Sequence, residues 1–248
     1  MKISEALDLK ESETISFVGG GGKTSLMFRL AEEIPLQYNV VITTTTKIFV
    51  PSPEKFPLVL MGRVDQVEKE LAGYLKSGMR PVVGSGLLEN NKLDGISPGQ
   101  VSLLRRCSDY MLVEADGSKG LPLKGHLDYE PVIPGVTTLI VIVVGADILG
   151  KTLDSRYVHR PEIVSRLTGR EIGSVIDAGL IADLIEHPQG MLREYPPGAR
   201  VVLFINKIDL LPDPDGGYNL DCFIPGKKIE KVIFGSAIGE EPVLVVLE

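Results

Sequence analysis

The sequence predicts an α/β protein, a three-layer sandwich with a mostly parallel central sheet, built as one domain over residues 1–248. Three observations carry this. Short β-branched runs alternate along the chain with amphipathic helical segments, the order that covers both faces of a parallel sheet with helices. A length of 248 residues fits one large α/β domain, and no internal repeat or low-complexity linker divides it. Finally, a glycine run follows the first strand and opens the next helix, the junction at which such sheets hold ligands.

Strands are expected at Thr14 to Val18, Val40 to Thr43, Pro81 to Val83, Tyr110 to Val113, Thr138 to Val144, Val201 to Ile205 and Val232 to Phe234, each a short apolar or β-branched run. Between them, Thr24 to Ile34, Val64 to Lys76, Pro98 to Cys107, His159 to Thr168 and Ser174 to Glu186 carry apolar residues at spacings of three and four, as helices do. Gly84 to Gly99, Gly117 to Gly135 and Pro212 to Gly226 are loop-rich and follow strands, which makes them candidates for functional loops.

Composition removes several function classes. Hydrophobic residues at 44% and charged residues at 24% exclude a disordered or fibrous chain. With 26 Lys plus Arg against 33 Asp plus Glu, the net charge of −7 argues against a nucleic-acid partner while leaving room for a small basic pocket. Cys107 and Cys222 are far apart and outside any Cys-x-x-Cys pair, so neither a disulfide framework nor a zinc knuckle is expected. The acidic start MKISEALDLKESE is no signal peptide, and the most apolar stretch, Leu139 to Val144, is far short of the roughly 20 residues a membrane helix needs. A cytoplasmic location without membrane contact is expected.

The strongest local signal is ISFVGGGGKTSLMFRLAEE. An apolar strand runs into Gly19, Gly20, Gly21 and Gly22, then Lys23, Thr24 and Ser25, then an amphipathic helix. Glycines let the backbone curl around an anion with its N–H groups inward, and the helix start adds exposed donors and a favourable dipole. Lys23 is expected on the β and γ phosphates and the Thr24 hydroxyl on Mg²⁺. Phe17 occupies the position where G-x-x-x-x-G-K-[ST] has its first glycine, so the loop is two residues short; it fits G-x-x-G-K-[ST], similar to that of the Mur ligases. The fold class is thereby narrowed to a P-loop NTPase-like sandwich.

A second signal lies in RVVLFINKIDLLP, where a strand delivers Asn206, Lys207 and Asp209 in the NKxD pattern. Guanine presents N1–H and its 2-amino group side by side, and one carboxylate can accept both; adenine lacks that pair. Two charge-assisted bonds of about 1.5–3 kcal/mol each favour GTP, with ATP as the alternative. Asn206 and Lys207 would brace the loop and cover the base, and Ser236 and Ala237, after the next strand, resemble the Ser-Ala motif whose backbone meets guanine in GTPases. An ordinary strand-end turn is the competing reading. Asn91, Lys92 and Asp94 also spell NKxD, but follow GSGLLEN rather than a strand and read as a turn.

Between these signals, YMLVEADGSKG ends a strand in Glu114, Ala115, Asp116 and Gly117. Asp116 is the first choice for the Mg²⁺ shell and Glu114, of the same strand parity, the alternate; an exposed Asp-Gly turn is the other reading. Lys119 and Lys124 either extend toward phosphate or are solvated. Thr45, in TTTTK at the end of the second strand, could touch Mg²⁺ or the γ-phosphate, or be a surface hydroxyl. Arg156, His159 and Arg160 in SRYVHRPE form the one concentrated His and Arg group, able to act on a phosphate, bind an acidic substrate or serve structure. His126 and His187 lack partners at metal-ligand spacing and receive no role.

With VGGGGKTS, TTTTK, LVEADGSKGLPLKGH, EPVIP, VVGAD, VHRPE and FINKID in this order, the sequence resembles the YqeC family from about Ser16 to Asp209. The resemblance implies an accessory protein of selenium-dependent molybdenum hydroxylases, acting in maturation of the enzyme or its cofactor. The expectation is a nucleotide-binding protein with slow hydrolysis unless a partner, or Arg156 or Arg160 in cis, supplies positive charge to the transition state. A transferase or ligase spending nucleotide on a small molecule, and a non-catalytic scaffold gated by nucleotide, are the alternatives.

Overall fold

The structure is a computed structural model and describes residues 1–211 and 228–248; the loop expected from Pro212 to Gly226 lies outside them. A short helix α1 (Ile3–Ala6) precedes strand β1 (Glu13–Gly19), and the glycine run leads into α2 (Lys23–Glu33). There follow β2 (Val40–Thr44), β3 (Lys47–Phe49), β4 (Leu58–Leu60), α3 (Val64–Lys76), β5 (Val82–Gly84), β6 (Gly86–Leu88), β7 (Lys92–Asp94) and α4 (Pro98–Leu104). The chain continues through β8 (Tyr110–Glu114), β9 (Leu123–Lys124), β10 (Leu139–Gly145), β11 (Val158–His159), α5 (Pro161–Thr168), α6 (Ala178–Glu186), β12 (Arg200–Asn206), β13 (Lys231–Gly235) and β14 (Val243–Leu247).

Nine strands form the central sheet in the order β14-β13-β12-β10-β1-β8-β2-β5-β4. Every pairing in it is parallel except β13 with the edge strand β14. Helices cover both faces, as a P-loop NTPase-like sandwich requires. Side chains alternate along β1: Ile15 and Phe17 face α1 and α2 with Leu26, Met27 and Leu30, while Val18 faces the opposite side with Leu180 and Ile181 of α6. On that second face α3 and α4 pack Val67, Leu71, Val101 and Leu104 over Val41, Met111 and Val113.

All the expected strands are present, and two of the helices begin at a side-chain cap. Ser97 accepts the Gln100 N–H and Pro98 follows it, which starts α4. The helix expected from Ser174 starts only after Asp177, whose carboxylate accepts the Leu180 N–H, because Val175 is drawn into a bridge with Thr152. Likewise His159 does not begin a helix: it lies on β11, paired with β9, and α5 starts at Pro161. The second NKxD copy is not simply a turn. Asn90 and Asn91 turn with positive φ, but Lys92–Asp94 is the central strand of a small antiparallel sheet with β3 and β6.

Because the core strands run parallel, β1, β8, β10, β12 and β13 deliver Gly19, Glu114, Gly145, Asn206 and Gly235 to one edge. From β1 the chain goes to β2 on one side and later to β10 on the other, so β1 is the switch point, the place at which sheets of this kind hold their ligands. Gly21 sits there with φ +75°, and a Cβ on it would lie 2.1 Å from the Gly145 nitrogen. Gly21→Ala should therefore cost on the order of 2–5 kcal/mol in urea unfolding. Gly73→Ala, exposed in α3 with open space around it, should stabilise by about 0.5–1 kcal/mol.

Candidate functional site

The loop from β1 to α2 is held from behind by backbone. Gly20 N–H donates to Val143 O at 2.8 Å and Gly21 N–H to Leu121 O at 2.9 Å. The first helical bond of α2 runs from Leu26 N–H to Gly22 O, so among the described residues the amides of Gly22, Lys23, Thr24 and Ser25 have no acceptor. Gly22, at φ +111°, turns the chain so that these donors open the helix. Four free amides at the positive end of an 11-residue helix form a site for an anion.

Beneath them lies a buried ionic cluster. Asp116, 1% exposed, accepts the Gly19 N–H at 2.9 Å on Oδ2, and His126 Nε2 contacts the same oxygen. Lys23, 3% exposed, reaches back with Nζ to Asp116 Oδ1 at 3.0 Å and donates to Gly19 O at 2.7 Å. It also meets Ser118 Oγ at 3.4 Å. Lys124, fully buried on β9, sits 3.8 Å from Asp116, donates to Gly117 O at 2.7 Å and pairs with Glu130 at 3.1 Å. Arg160 closes the chain of charges through Nη1 to Glu130 Oε2 at 2.5 Å.

Burial pushes the Asp116 carboxyl up, but Lys23, His126 and Lys124 outweigh it and hold it well below the usual carboxylate range. Glu114 goes the other way. Burial raises it above the ordinary carboxylate value, although Lys23 lies 3.9 Å from Oε1 and the Thr24 hydroxyl donates to Oε2 at 2.6 Å. Lys124 is lowered by burial against the pull of Asp116 and Glu130.

The sequence-derived candidates thus separate. Asp116, the first choice for the Mg²⁺ shell, does project toward the loop, but as its anchor: both oxygens already face a partner, and the alternative of an exposed turn does not hold because the residue is buried. Glu114 is the carboxylate that meets Thr24, the pair suited to Mg²⁺. No group of three or more His, Cys, Asp or Glu able to hold a metal occurs among the described residues. One hydroxyl and one carboxylate fit Mg²⁺, which keeps several waters and takes its remaining ligands from substrate phosphates. Lys23 is not a solvated loop lysine, and Lys124 is neither solvated nor extended. Ser25 is exposed on the first turn of α2. The Thr45 hydroxyl is taken by Val132 O at 2.8 Å.

At the other end of the edge, Asn206 ties two segments together: Nδ2 donates to Gly21 O at 2.8 Å and Oδ1 accepts the Ala237 N–H at 2.9 Å. Lys207, left-handed at φ +65°, pairs with Asp147 at 3.0 Å. Asp209 is exposed on the turn that follows, with no partner among the described residues. Ser236 and Ala237 are buried, and their amides go to Pro242 O and Asn206, so neither is free for a base.

Arg156 is exposed and spent on Asp154 at 2.6 Å, away from the ionic cluster, whereas Arg160 belongs to it and His159 lies beside Lys124 in the β9–β11 register. His126, given no role on spacing, proves to be a partner of Asp116. Its signal was its place ten residues on in the same glycine-rich segment, which only folding turns back onto Asp116.

Asp116→Asn leaves Lys23 and Lys124 facing a neutral amide and should cost about 3–5 kcal/mol at pH 7. Because the folded-state value is depressed, the contribution is complete above the ordinary carboxylate range. In urea unfolding followed against pH, the gap between the two proteins should hold constant down to about pH 4.5 and narrow below.

Residues 15–162, more than half of the chain, match the family model described as YqeC protein. The chain is also similar to the uncharacterized protein YqeC of Escherichia coli (strain K12), at 34% identity over 201 residues, covering 80% of this chain and 77% of that one.

Proposed function

The chain belongs to the YqeC family, and we propose that it binds a nucleoside triphosphate with Mg²⁺, GTP in preference to ATP. The observation that carries this reading is the Thr24 hydroxyl on Glu114 at 2.6 Å, directly below the free amides of Gly22 to Ser25. A polyphosphate on those amides would bring its cation to the hydroxyl–carboxylate pair. Lys23 would leave Gly19 O for the phosphates, and Asp116 would keep Lys124 and His126 as partners. Bound Mg²⁺ would supply charge neutralisation to the phosphates and would favour the ionised form of Glu114 against the burial that raises it.

Asp209 supports the guanine reading, being an exposed carboxylate without a partner among the described residues, just past Asn206, which braces the loop at Gly21. As an accessory protein, the chain would use bound nucleotide to act on a selenium-dependent molybdenum hydroxylase or its cofactor, with hydrolysis slow until the client completes the site. This client assignment rests on the family resemblance alone.

Calorimetric titration with Mg·GTP and Mg·ATP tests the reading. GTP should bind at least about tenfold more tightly, equal to 1.4 kcal/mol, and Asp209→Asn should shrink that ratio and favour xanthine nucleotides, which offer a carbonyl where guanine has its amino group. Equal affinities unaffected by Asp209→Asn would remove guanine; absence of binding to either would remove the nucleotide reading. Glu114→Gln should weaken binding with Mg²⁺ by about tenfold or more and binding in EDTA far less. Repeating the titration with the candidate hydroxylase present should show turnover that the isolated chain lacks.

A further inference from the structure

The nucleotide reading leaves VHRPE and Lys119 unused, and their placement is unusual for a chain with a net charge of −7. The β9–β11 ladder sets His159 opposite Lys124, and the Gly125 N–H donates to His159 O at 2.8 Å. Arg160, left-handed at φ +63°, uses Nη1 alone, on Gly125 O at 3.2 Å and on Glu130. Its Nε and Nη2 have no protein partner among the described residues, nor does the half-buried His159 ring. Lys119 also stands out with a free ammonium, at φ +53° in the turn that starts from Ser118, the residue touching Lys23.

Three donors are therefore left over on one patch, and its negative charge is already committed: Glu130 is shared between Lys124 and Arg160, and Asp116 is enclosed by Lys23, Lys124 and His126. We propose that Lys119, His159 and Arg160 form a second anion site, which takes the phosphate group of a small molecule other than the nucleotide. The free Nε and Nη2 of Arg160, the Lys119 ammonium and the His159 ring match the several oxygens of a phosphate group better than the two of a carboxylate. Burial lowers His159 to about 4, and Arg160, Lys124 and Lys119 add to the effect against the pull of Glu130, so the ring lies in a net positive field. The inference goes beyond the nucleotide reading and does not depend on it.

The test is an NMR titration of the His159 ring in the full chain against pH, with the signal assigned by His159→Gln. Orthophosphate should raise the ring's pKa by about one unit or more, saturably, while acetate at equal ionic strength leaves it in place. Lys119→Gln, at an exposed residue with no side-chain partner among the described residues, should weaken the phosphate response about tenfold. The response should survive saturation of the glycine loop with Mg·GTP. A ring indifferent to phosphate, an equal response to acetate, an unchanged response in Lys119→Gln, or loss of the response under Mg·GTP would each overturn the second site. If Mg·GTP does not bind at all, the nucleotide reading falls, and the phosphate titration of the free chain still decides this one.

Discussion

The Asp116 carboxylate, enclosed by the Gly19 N–H, Lys23, His126 and Lys124, is the contact on which the arrangement of the site depends. A carboxylate at the end of a central strand has no water to solvate it, and burying it alone would cost several kcal/mol or drive it to take a proton. Its partners solve that problem in ways that shape the molecule. The Gly19 amide fixes where β1 ends. Lys23 draws the loop down, while Lys124 and His126 pull the Gly117 to His126 segment behind it. Lys124 is then itself a buried cation, and Glu130 and Arg160 follow from it. Three cations, Lys23, Lys124 and Arg160, face three carboxylates, Glu114, Asp116 and Glu130, and the motifs that stand far apart in sequence become one connected body.

Such a network does little for net stability, since desolvation offsets much of what the pairs return. Its effect is positional. Gly20 and Gly21 spend their amides on Val143 O and Leu121 O, which leaves the next four donors to face outward together. Asn206 adds a brace from the opposite side through Gly21 O. The loop is shaped by the protein's own contacts, and the lysine inside it has a resident partner from which, on the proposed reading, an incoming anion would draw it. That exchange would be favourable if the phosphates offered Lys23 more charge than Gly19 O and one Asp116 oxygen do, while Lys124 and His126 remained to hold the carboxylate.

Parallel topology concentrates these groups. With β1 at the switch point, the ends of β8 and β10 flank it and the end of β12 lies one strand further on. On the proposed reading, an anion at the loop, a cation at Thr24 and Glu114 and a base toward Asp209 would all lie along this edge, and the patch of Lys119, His159 and Arg160 is linked to it through Ser118 and Lys124.

What the sequence determined by itself was local. Apolar β-branched runs mark the core strands because burial on both faces demands them, and a strand, four glycines, Lys-Thr and an amphipathic helix mark a loop with backbone donors for an anion, of which the structure spends those of Gly19, Gly20 and Gly21 on the protein itself. Glu114 and Asp116 were legible as strand-end carboxylates, and Asn206 to Asp209 as a strand end. Tertiary structure decided what each of them touches. Strand parity gave both carboxylates the same face, but only the packing of Gly117 to His126 behind the loop made Asp116 an anchor and left Glu114 to Thr24. Nothing in the sequence named the partners of His126, Lys124 and Ser118, because contacts with Asp116 and Lys23 depend on distances across the fold and on burial, neither of which has a period in sequence. For the same reason Ala237 turned its amide to Asn206 instead of outward, and His159 joined a two-residue ladder rather than a helix.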